Sequence, residues 1–253
     1  MAKKIAFISA LGGQGTSLSA VCIAGAAASL AHPSVLADLC GFGGTLAYYL
    51  AADGSVMNTG DVAAGECPVE DALVSVGEHL LLLPSGQFSE KNPSPLAVET
   101  RRIIEGLSRE YDVFADIPAG TLPDCGMAGC FDLFVICARP DAMSLKYAAA
   151  LCRLIRKASA QTACAPAIRL LLTDFTPERM KLSGVSDIDA CIDTVGARLI
   201  GVLPHDDSAL AGALSGQPPD EKWELTRFAR DAARRIYGER VPLDSRKPFR
   251  LGL

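Results

Sequence analysis

Short apolar segments alternate with longer amphipathic segments along almost the whole chain, and this alternation restricts the fold more than any other feature. Most of the apolar segments lack the two-residue alternation of a half-exposed strand, so they predict strands covered on both faces. Such strands, separated by helices, predict a doubly wound α/β fold: a mostly parallel sheet of about seven strands with helices on both faces. The predicted strands are Lys4–Ser9, Ser34–Leu39, His79–Pro84, Asp112–Ile117, Leu133–Cys137, Ile168–Thr173 and Arg198–Leu203.

The amphipathic segments between these strands predict helices. In the segment from Pro95 to Glu110, apolar residues recur at helical spacing while charged residues take the other face. The sequence contains no internal repeat and no interdomain linker, so we expect a single domain over residues 1–240 and a tail over 241–253. The predicted helices are Ser17–Ala31, Val69–Val76, Pro95–Glu110, Ala142–Lys157, Ser186–Val195 and Trp223–Tyr237.

Composition and charge exclude several classes of protein. The chain has 253 residues, 49% of them hydrophobic and 21% charged, which is typical of a folded domain with a sizeable core. Its net charge is −5, so no overall positive field favours nucleic acid, and we expect no direct nucleic-acid binding. No apolar segment reaches the length that spans a membrane. The nine scattered cysteines are typical of a reducing compartment, so we expect a cytoplasmic protein.

A glycine-rich loop follows the first predicted strand, within residues 7–20, FISALGGQGTSLSA. Glycines let successive backbone N–H groups converge on a phosphate, and the helix that begins at Thr16 or Ser17 adds the positive end of its dipole. A phosphate loop also uses a lysine for the outer phosphates, and this segment contains none. Two interpretations stay open: a phosphate site without its cations, or a plain glycine-rich turn.

This loop resembles that of the MinD/ParA family of deviant Walker ATPases, which reads K-G-G-x-G-K-[ST]. The family's two lysines fall on Leu11 and Thr16, and the residues that match are Gly12, Gly13, Gly15 and Ser17. The resemblance implies a P-loop NTPase fold with ATP and Mg²⁺ as cofactors. It also implies that a bound nucleotide would contact Gly12, Gly13, Gln14, Gly15, Thr16 and Ser17.

The resemblance extends to the acidic residues of the family's metal site. Asp38 matches the first acid of the family's D-x-D motif, and the second acid falls on Cys40. Asp116 begins the segment DIPAG, which matches the family's D-x-P-A-G switch. The resemblance implies that Ser17, Asp38 and Asp116 hold Mg²⁺ if a nucleotide binds. A strand-end turn is the alternative for the segment that begins at Asp116, because Asp, Pro and Gly favour turns.

Residues 35–50, VLADLCGFGGTLAYYL, are similar to the pilus-assembly branch of the family, the CpaE/TadZ proteins. This similarity implies a part in Tad-type pilus assembly, whereas the wider family implies cell-division or chromosome positioning. Many proteins of the branch carry a receiver-like domain ahead of the ATPase fold, and because the first predicted strand begins at Lys4 we expect none here. An ordinary helix packed on the sheet is the alternative for Leu46, Tyr48, Tyr49 and Leu50.

Two later segments, residues 170–180 and 197–219, are similar to the MinD pattern that closes the nucleotide pocket. The resemblance places Asp174 and Phe175 near the base of a bound nucleotide, with Pro204, His205 and Asp206 across from them. We expect His205 to face solvent beside a helix start.

The missing residues predict a pseudo-ATPase that positions partner proteins. In the family, the lysine replaced by Leu11 acts across a dimer, the one replaced by Thr16 acts in cis, and the acid replaced by Cys40 orients water. Phosphoryl transfer depends chiefly on such positioned charges. We expect protein partners in a pilus or positioning system, recruitment to a cell pole or the inner membrane face, and a homodimer that ATP does not drive. The alternative is a working Mg-dependent ATPase in which Lys91 or Arg139 substitutes.

Cys125 and Cys130 follow the DIPAG segment much as a cluster cysteine does in relatives of the nitrogenase iron protein. Those relatives have a second cysteine in the preceding switch, and residues 84–95 contain none, so we expect no iron–sulfur cluster. At the C-terminus, we expect the apolar face of the helix 223–237 to pack on the domain. The basic tail, residues 244–253, stays open as a membrane contact.

Overall fold

The computed structural model describes residues 2–40, 44–52, 56–85, 97–121, 123–162 and 165–243, and within them the strands form one sheet. The strands are β1 (Lys4–Ile8), β2 (Ser34–Asp38), β3 (Val74–Gly77), β4 (Leu80–Leu83), β5 (Asp112–Asp116), β6 (Leu133–Ala138), β7 (Ala167–Phe175) and β8 (Arg198–Pro204). Their order is β3-β4-β2-β5-β1-β6-β7-β8, and every neighbouring pair is parallel except β3 and β4. The predicted doubly wound, mostly parallel α/β fold is confirmed.

The structure contains one strand that was not predicted, β3, and at this position the prediction is wrong. We expected a helix over Val69–Val76, but a 3₁₀ turn spans Val69–Ala72 and β3 follows it, antiparallel to β4. Exposure alternates along β3 because only one face of this edge strand is covered. Four residues of alternation are too few to distinguish such a strand from a turn of helix.

The other predicted helices are present with shifted ends. Residues 95–96 of the helix predicted from Pro95 to Glu110 lie outside the described residues. The additional helices α2, α3, α5, α7 and α9 have eight residues or fewer, so they span too few turns to show a periodic pattern. The helices are α1 (Thr16–Ser29), α2 (Thr45–Tyr49), α3 (Thr59–Ala64), α4 (Ala97–Leu107), α5 (Cys125–Ala128), α6 (Ala142–Ser159), α7 (Pro177–Leu182), α8 (Ile188–Val195), α9 (Asp207–Leu214) and α10 (Glu224–Ile236).

Two separate apolar layers cover the faces of the sheet. On one face α1 lies against α10, and the alanine-rich surface of α1 is buried, which lets the two helices approach closely. The predicted packing of the helix at 223–237 is confirmed, since Ala229, Ala232 and Ile236 are buried in this layer. On the other face α4, α6 and α8 contribute Ile103, Leu145, Cys191 and their neighbours to the second layer.

No helix in the described part of the chain is both long enough and apolar enough to cross a membrane. Residues 244–253 of the predicted tail lie outside the described residues.

Candidate functional site

A cavity of about 430 Å³ lies at the carboxyl ends of β1, β5, β7 and β8, where parallel sheets of this kind bind ligands. One side is formed by the glycine-rich loop and the start of α1, and the opposite side by the ends of β7 and β8 with the start of α9. The predicted site residues that line it are Gly13, Gln14, Gly15, Thr16, Ser17, Cys40, Asp116, Asp174, Pro204, His205 and Asp206.

Hydrogen bonds to neighbouring strands hold the glycine-rich loop in place. The Thr173 hydroxyl at the end of β7 donates to the backbone carbonyl of Gln14 (2.7 Å), and the Arg139 backbone N–H donates to Oε1 of Gln14 (2.8 Å). Gly13 and Gly15 have φ values of 71° and 69°, in the left-handed region that favours glycine. The sequence places glycine where the turn into α1 requires it.

The loop presents free backbone donors to the cavity. Gly15 is the N-cap residue of α1 and provides no side-chain cap, and the backbone N–H groups of residues 15–18 donate no hydrogen bond to another described residue. An unoccupied row of N–H groups at a helix N-terminus is an anion-binding arrangement. The donor set therefore fits a phosphate.

The cations of a phosphate loop are missing from the described lining of this cavity. No lysine is among those residues, and Leu11 is half-buried outside them. Thr16 is 9% exposed, and its hydroxyl, beside the Cys137 thiol, makes no hydrogen bond with ordinary geometry among the described residues. Both positions where the family has lysine are thus filled by uncharged side chains.

The lining residues that do carry positive charge are engaged by Asp174. The Nε atom of Arg139 lies 3.1 Å from Oδ2 of Asp174, Nδ1 of His205 lies 2.5 Å from Oδ1, and Arg179 forms a further ion pair with the same carboxylate. Asp174 adopts a φ of 52°, which is uncommon outside glycine and directs the carboxylate to this cluster. Arg179 was not predicted as a site residue, because nothing in the sequence relates it to the loop at Gln14.

We expected His205 to face solvent, but its ring also contacts two aspartates. Its side chain is half-buried, with Nδ1 on Asp174 and Nε2 3.1 Å from Oδ1 of Asp207. The hydrogen bond to Asp174 is the main cause that raises the pKa of His205 above its usual value. The sequence does not reveal the contact with Asp174, because that residue lies 31 positions away, at the end of another strand.

Two aspartates and a cysteine lie together at the cavity: Cys40 and Asp116 line it, and Asp38 lies behind Cys40. Asp38 and Asp116 are paired at the last positions of β2 and β5, and one ligand atom from each of Asp38, Cys40 and Asp116 lies within 4.8 Å of the other two. The Sγ atom of Cys40 is 3.6 Å from Oδ2 of Asp116, and the Ser17 hydroxyl lies near the Asp116 carboxyl. Burial, with Asp38 nearby, raises the pKa of Asp116 to about 7, and burial raises the pKa of Asp38.

Several predicted residues take no direct part in the lining. Phe175 is buried in the apolar layer below the sheet, because it occupies the last position of β7 and points into the core. Gly12 and Asp38 are also absent from the lining. Asp38 instead lies behind Cys40, whose backbone N–H donates to Oδ1 of Asp38 (2.9 Å).

The remaining predictions concern residues away from the cavity. Lys91, offered as a substitute cation, lies outside the described residues, as does much of the segment 84–95. Cys125 is exposed and Cys130 is buried. The group of potential metal ligands found among the described residues contains neither of these cysteines.

Comparison with known protein sequences gives relatives described as septum site-determining MinD proteins. No protein-family model matches the chain. The septum site-determining protein MinD of Synechocystis is 26% identical over 191 residues, which cover 72% of this chain and 69% of that protein.

Solved structures share the fold over nearly the full length. The MinD chain of a MinC:MinD cell division complex from Aquifex aeolicus superposes with a TM-score of 0.80 at 24% identity, covering 95% of this chain and 98% of that one. MinD of Pyrococcus horikoshii, complexed with Mg-ADP, has a TM-score of 0.80 at 20% identity, with 93% and 96% covered. A ParA family ATPase from Chlorobium tepidum has a TM-score of 0.76 at 22% identity, with 92% and 99% covered. The sequence similarity to MinD proteins and the shared fold together support the MinD/ParA-type P-loop ATPase family for this chain.

Proposed function

We propose that this chain is a pseudo-ATPase of the MinD/ParA type, which binds Mg-nucleotide weakly and acts by positioning other proteins. One observation carries the proposal: the loop offers free N–H donors of residues 15–18, while no lysine is among the described residues that line the cavity. The backbone part of a phosphate site is present without its charged part.

The magnitude of the missing charge supports weak binding. Two unit charges 4 Å apart interact by about 4 kcal/mol in partly screened surroundings, so losing a lysine lowers affinity for a triphosphate by orders of magnitude. The free N–H groups and the dipole of α1 retain a fraction of that attraction, about 1 kcal/mol. Arg139 does not compensate in this state, because its guanidinium is paired with Asp174.

Hydrolysis requires more than binding, and three of its contributors are replaced. Leu11 and Thr16 carry no charge, and the Cys40 thiol lacks a carboxylate to orient water. A transition state with charge spread over phosphate oxygens needs positioned cations. The proposal is therefore that turnover is lost while the shape of the site is kept.

A magnesium ion still has oxygen ligands available. The Ser17 hydroxyl and the Asp116 carboxylate lie together at the cavity, with Asp38 beside them, and hard oxygen ligands suit Mg²⁺. When bound with a nucleotide, Mg²⁺ would neutralise phosphate charge. Ser17 would hold it, and Asp116 and Asp38 would orient its shell.

The partner system follows from the similarity of residues 35–50 to the CpaE/TadZ proteins, which favours Tad-type pilus assembly, with division-site or pole positioning as the wider family role. MinD of the Aquifex aeolicus structure is in complex with MinC, so a protein partner is in keeping with a relative. We propose a cytoplasmic protein recruited by such partners to a pole or the inner membrane face.

The test is Mg-ATP titration and turnover with the wild type and three variants. Thr16→Lys restores a charged side chain at the loop, and we expect it to raise ATP affinity about 10-fold or more, whereas Thr16→Ser changes no charge and leaves affinity unchanged. Turnover by the wild type at a rate typical of MinD relatives, abolished by Asp116→Ala, would overturn the proposal.

A second measurement concerns assembly. We expect gel filtration to give the same oligomeric state with and without Mg-ATP, because the residue that would reach the partner's nucleotide is Leu11. A nucleotide-dependent dimer would instead favour the alternative, a working ATPase. Arg139 is the residue that favours this alternative, since it lines the cavity, and Arg139→Ala would then reduce turnover.

A further inference from the structure

Asp38, Cys40 and Asp116 form a compact group of metal-ligating atoms at the cavity, here called the thiol–carboxylate triad; Cys40 and Asp116 line the cavity and Asp38 lies behind Cys40. The strand register pairs Asp38 with Asp116, and Cys40 follows β2 by two residues, with Sγ 3.6 Å from Oδ2 of Asp116. One ligand atom from each residue lies within 4.8 Å of the others, so a small movement of these side chains brings all three to the shorter donor spacing of a tetrahedral metal ion.

No cation in the described structure lies beside the carboxyl groups of the triad. Asp38 and Asp116 are each 1% exposed, and no ion pair among the described residues includes either carboxylate. Asp38 accepts backbone hydrogen bonds from Cys40 and Leu46, and neither of these donors brings a positive charge. Two buried carboxylates side by side are costly unless a proton or a cation neutralises them.

A second, independent group with an unmet bond lines the same cavity. The Thr16 side chain is nine-tenths buried, and its hydroxyl lies beside the Cys137 thiol and makes no hydrogen bond of ordinary geometry among the described residues. Ser17, the next residue, contributes a hydroxyl directly beside Asp116. Among the described residues, the cavity therefore holds both carboxylates without a cation and a buried hydroxyl with no partner beyond the Cys137 thiol.

We propose that the thiol–carboxylate triad binds one thiophilic divalent cation, Zn²⁺ in preference to Mg²⁺, without any nucleotide. This site does not rest on the proposed pseudo-ATPase function, because it is formed by side chains alone.

The ligand types decide which cation is favoured. Mg²⁺ takes oxygen ligands in a near-ideal octahedron, so a thiolate is a poor ligand for it. Zn²⁺ takes Cys and Asp ligands in a tetrahedron, often with three protein ligands and a fourth position for water. Cys40 thus changes the selectivity of the site, and its thiol proton leaves to solvent when the metal binds.

The experiment uses cobalt as a spectroscopic probe in full-length, nucleotide-free protein. We expect one Co²⁺ to bind with a thiolate-to-cobalt charge-transfer band, and Zn²⁺ to displace it stoichiometrically, while a large excess of Mg²⁺ does not. The exposed Cys125 is a competing thiol, so every protein carries Cys125→Ser as a matched background.

Two further substitutions make the result specific to the triad. We expect Cys40→Ser to abolish the charge-transfer band and to weaken Zn²⁺ binding about 100-fold or more. In Cys40→Asp we expect Co²⁺ to bind with oxygen ligands only, so the charge-transfer band is absent, and we expect Mg²⁺ to compete with Co²⁺ for the site. Thermal unfolding of each metal-free variant verifies that it is folded. Absence of the band in the Cys125→Ser protein, or its persistence in Cys40→Ser, would overturn the proposal.

Discussion

Strand β5 begins and ends with an aspartate, and its two ends have opposite surroundings. At the amino end, Asp112 accepts a hydrogen bond from the Lys3 backbone N–H and another from the Tyr237 hydroxyl, both at 2.6 Å. The His32 ring stacks on Tyr237 with centroids 3.6 Å apart, and its Nδ1 lies 3.8 Å from Asp112. At the carboxyl end, Asp116 is more deeply buried and faces another carboxylate.

The difference separates what holds the sheet together from what faces the cavity. Asp112 connects the start of β1, the residues that follow α1 and the end of α10, and each of its contacts satisfies a polar group. Asp116 and Asp38 destabilise the folded chain in the absence of a cation, because their charge is buried without compensation. Buried carboxylates that destabilise the fold at one edge of a sheet are typical of a ligand-binding site at that edge.

The largest expected effect is a gain of stability from Asp116→Asn. The pKa of Asp116 is raised from 3.8 to about 7, and each pKa unit corresponds to about 1.4 kcal/mol, so the upper limit of the gain is about 4 kcal/mol at pH 8. Urea unfolding in EDTA measures it. A variant less stable than the wild type at pH 8 would contradict the view that this carboxylate is uncompensated.

The pH dependence of that gain has a definite sign. Between about pH 4 and pH 7 the folded state keeps the Asp116 proton that the unfolded state releases, so the wild-type free energy of unfolding falls as pH rises through this window. The variant lacks this fall. We therefore expect the difference in free energy of unfolding between the two proteins to be smallest near pH 4, to grow between pH 4 and pH 7, and to stay constant above about pH 7.

The matched substitution at the other end, Asp112→Asn, has the opposite expected sign. The new amide keeps one acceptor oxygen for the two donors at this position, and hydrogen bonds to a charged acceptor are the stronger ones. We expect a loss of about 1 to 2 kcal/mol in urea unfolding at pH 8. An equal effect of both substitutions would remove the contrast between the two ends of β5.

The glycine-rich loop offers a second matched pair of substitutions, at Gly15 and Gly12, one expected to destabilise the fold and the other not. Gly15→Ala places a side chain on a residue with a φ of 69°, in the left-handed region. The new Cβ would lie 3.7 Å from Thr173, which is an ordinary contact. We therefore expect the free energy of unfolding to fall by about 1 kcal/mol because of backbone strain alone. Gly12→Ala is the control, because Gly12 has no positive φ and no atom within 4 Å of such a Cβ. A larger loss in Gly12→Ala would contradict the role assigned to the loop geometry.

The sequence predicts most of the fold because continuous apolar segments identify strands buried on both faces. It fails at β3, where Val74 and Val76 alternate with more exposed residues over four positions only. It also misses the short helices such as α7, whose start depends on a local cap, Thr176 accepting from the Arg179 N–H, rather than on a repeated pattern.

The part of the site formed by loops that directly follow parallel strands was predictable from the sequence. Gly13, Gly15 and Asp116 line the cavity because parallel strands bring their carboxyl ends to one edge. The contacts of Asp174 were not predictable, since Arg139, Arg179 and His205 reach it from three different segments. Only the three-dimensional structure shows that the positive groups at this edge are held by a carboxylate.

The smallest expected effect tests that cluster through His205→Gln. The pKa of His205 is raised, chiefly by its hydrogen bond to Asp174, so the protonated ring stabilises the fold below its unfolded pKa of about 6.5, and this contribution is lost as pH rises through the higher folded pKa. Because the side chain is 34% exposed, we expect no more than about 1 kcal/mol at pH 6 and less at pH 9. In an Asp174→Asn background the same substitution should lose this pH dependence, which a double-mutant cycle in urea measures directly. A pH dependence that survives without the Asp174 carboxylate would assign the raised pKa to Asp207 instead, and the cations of the cavity would then not be held as a single cluster.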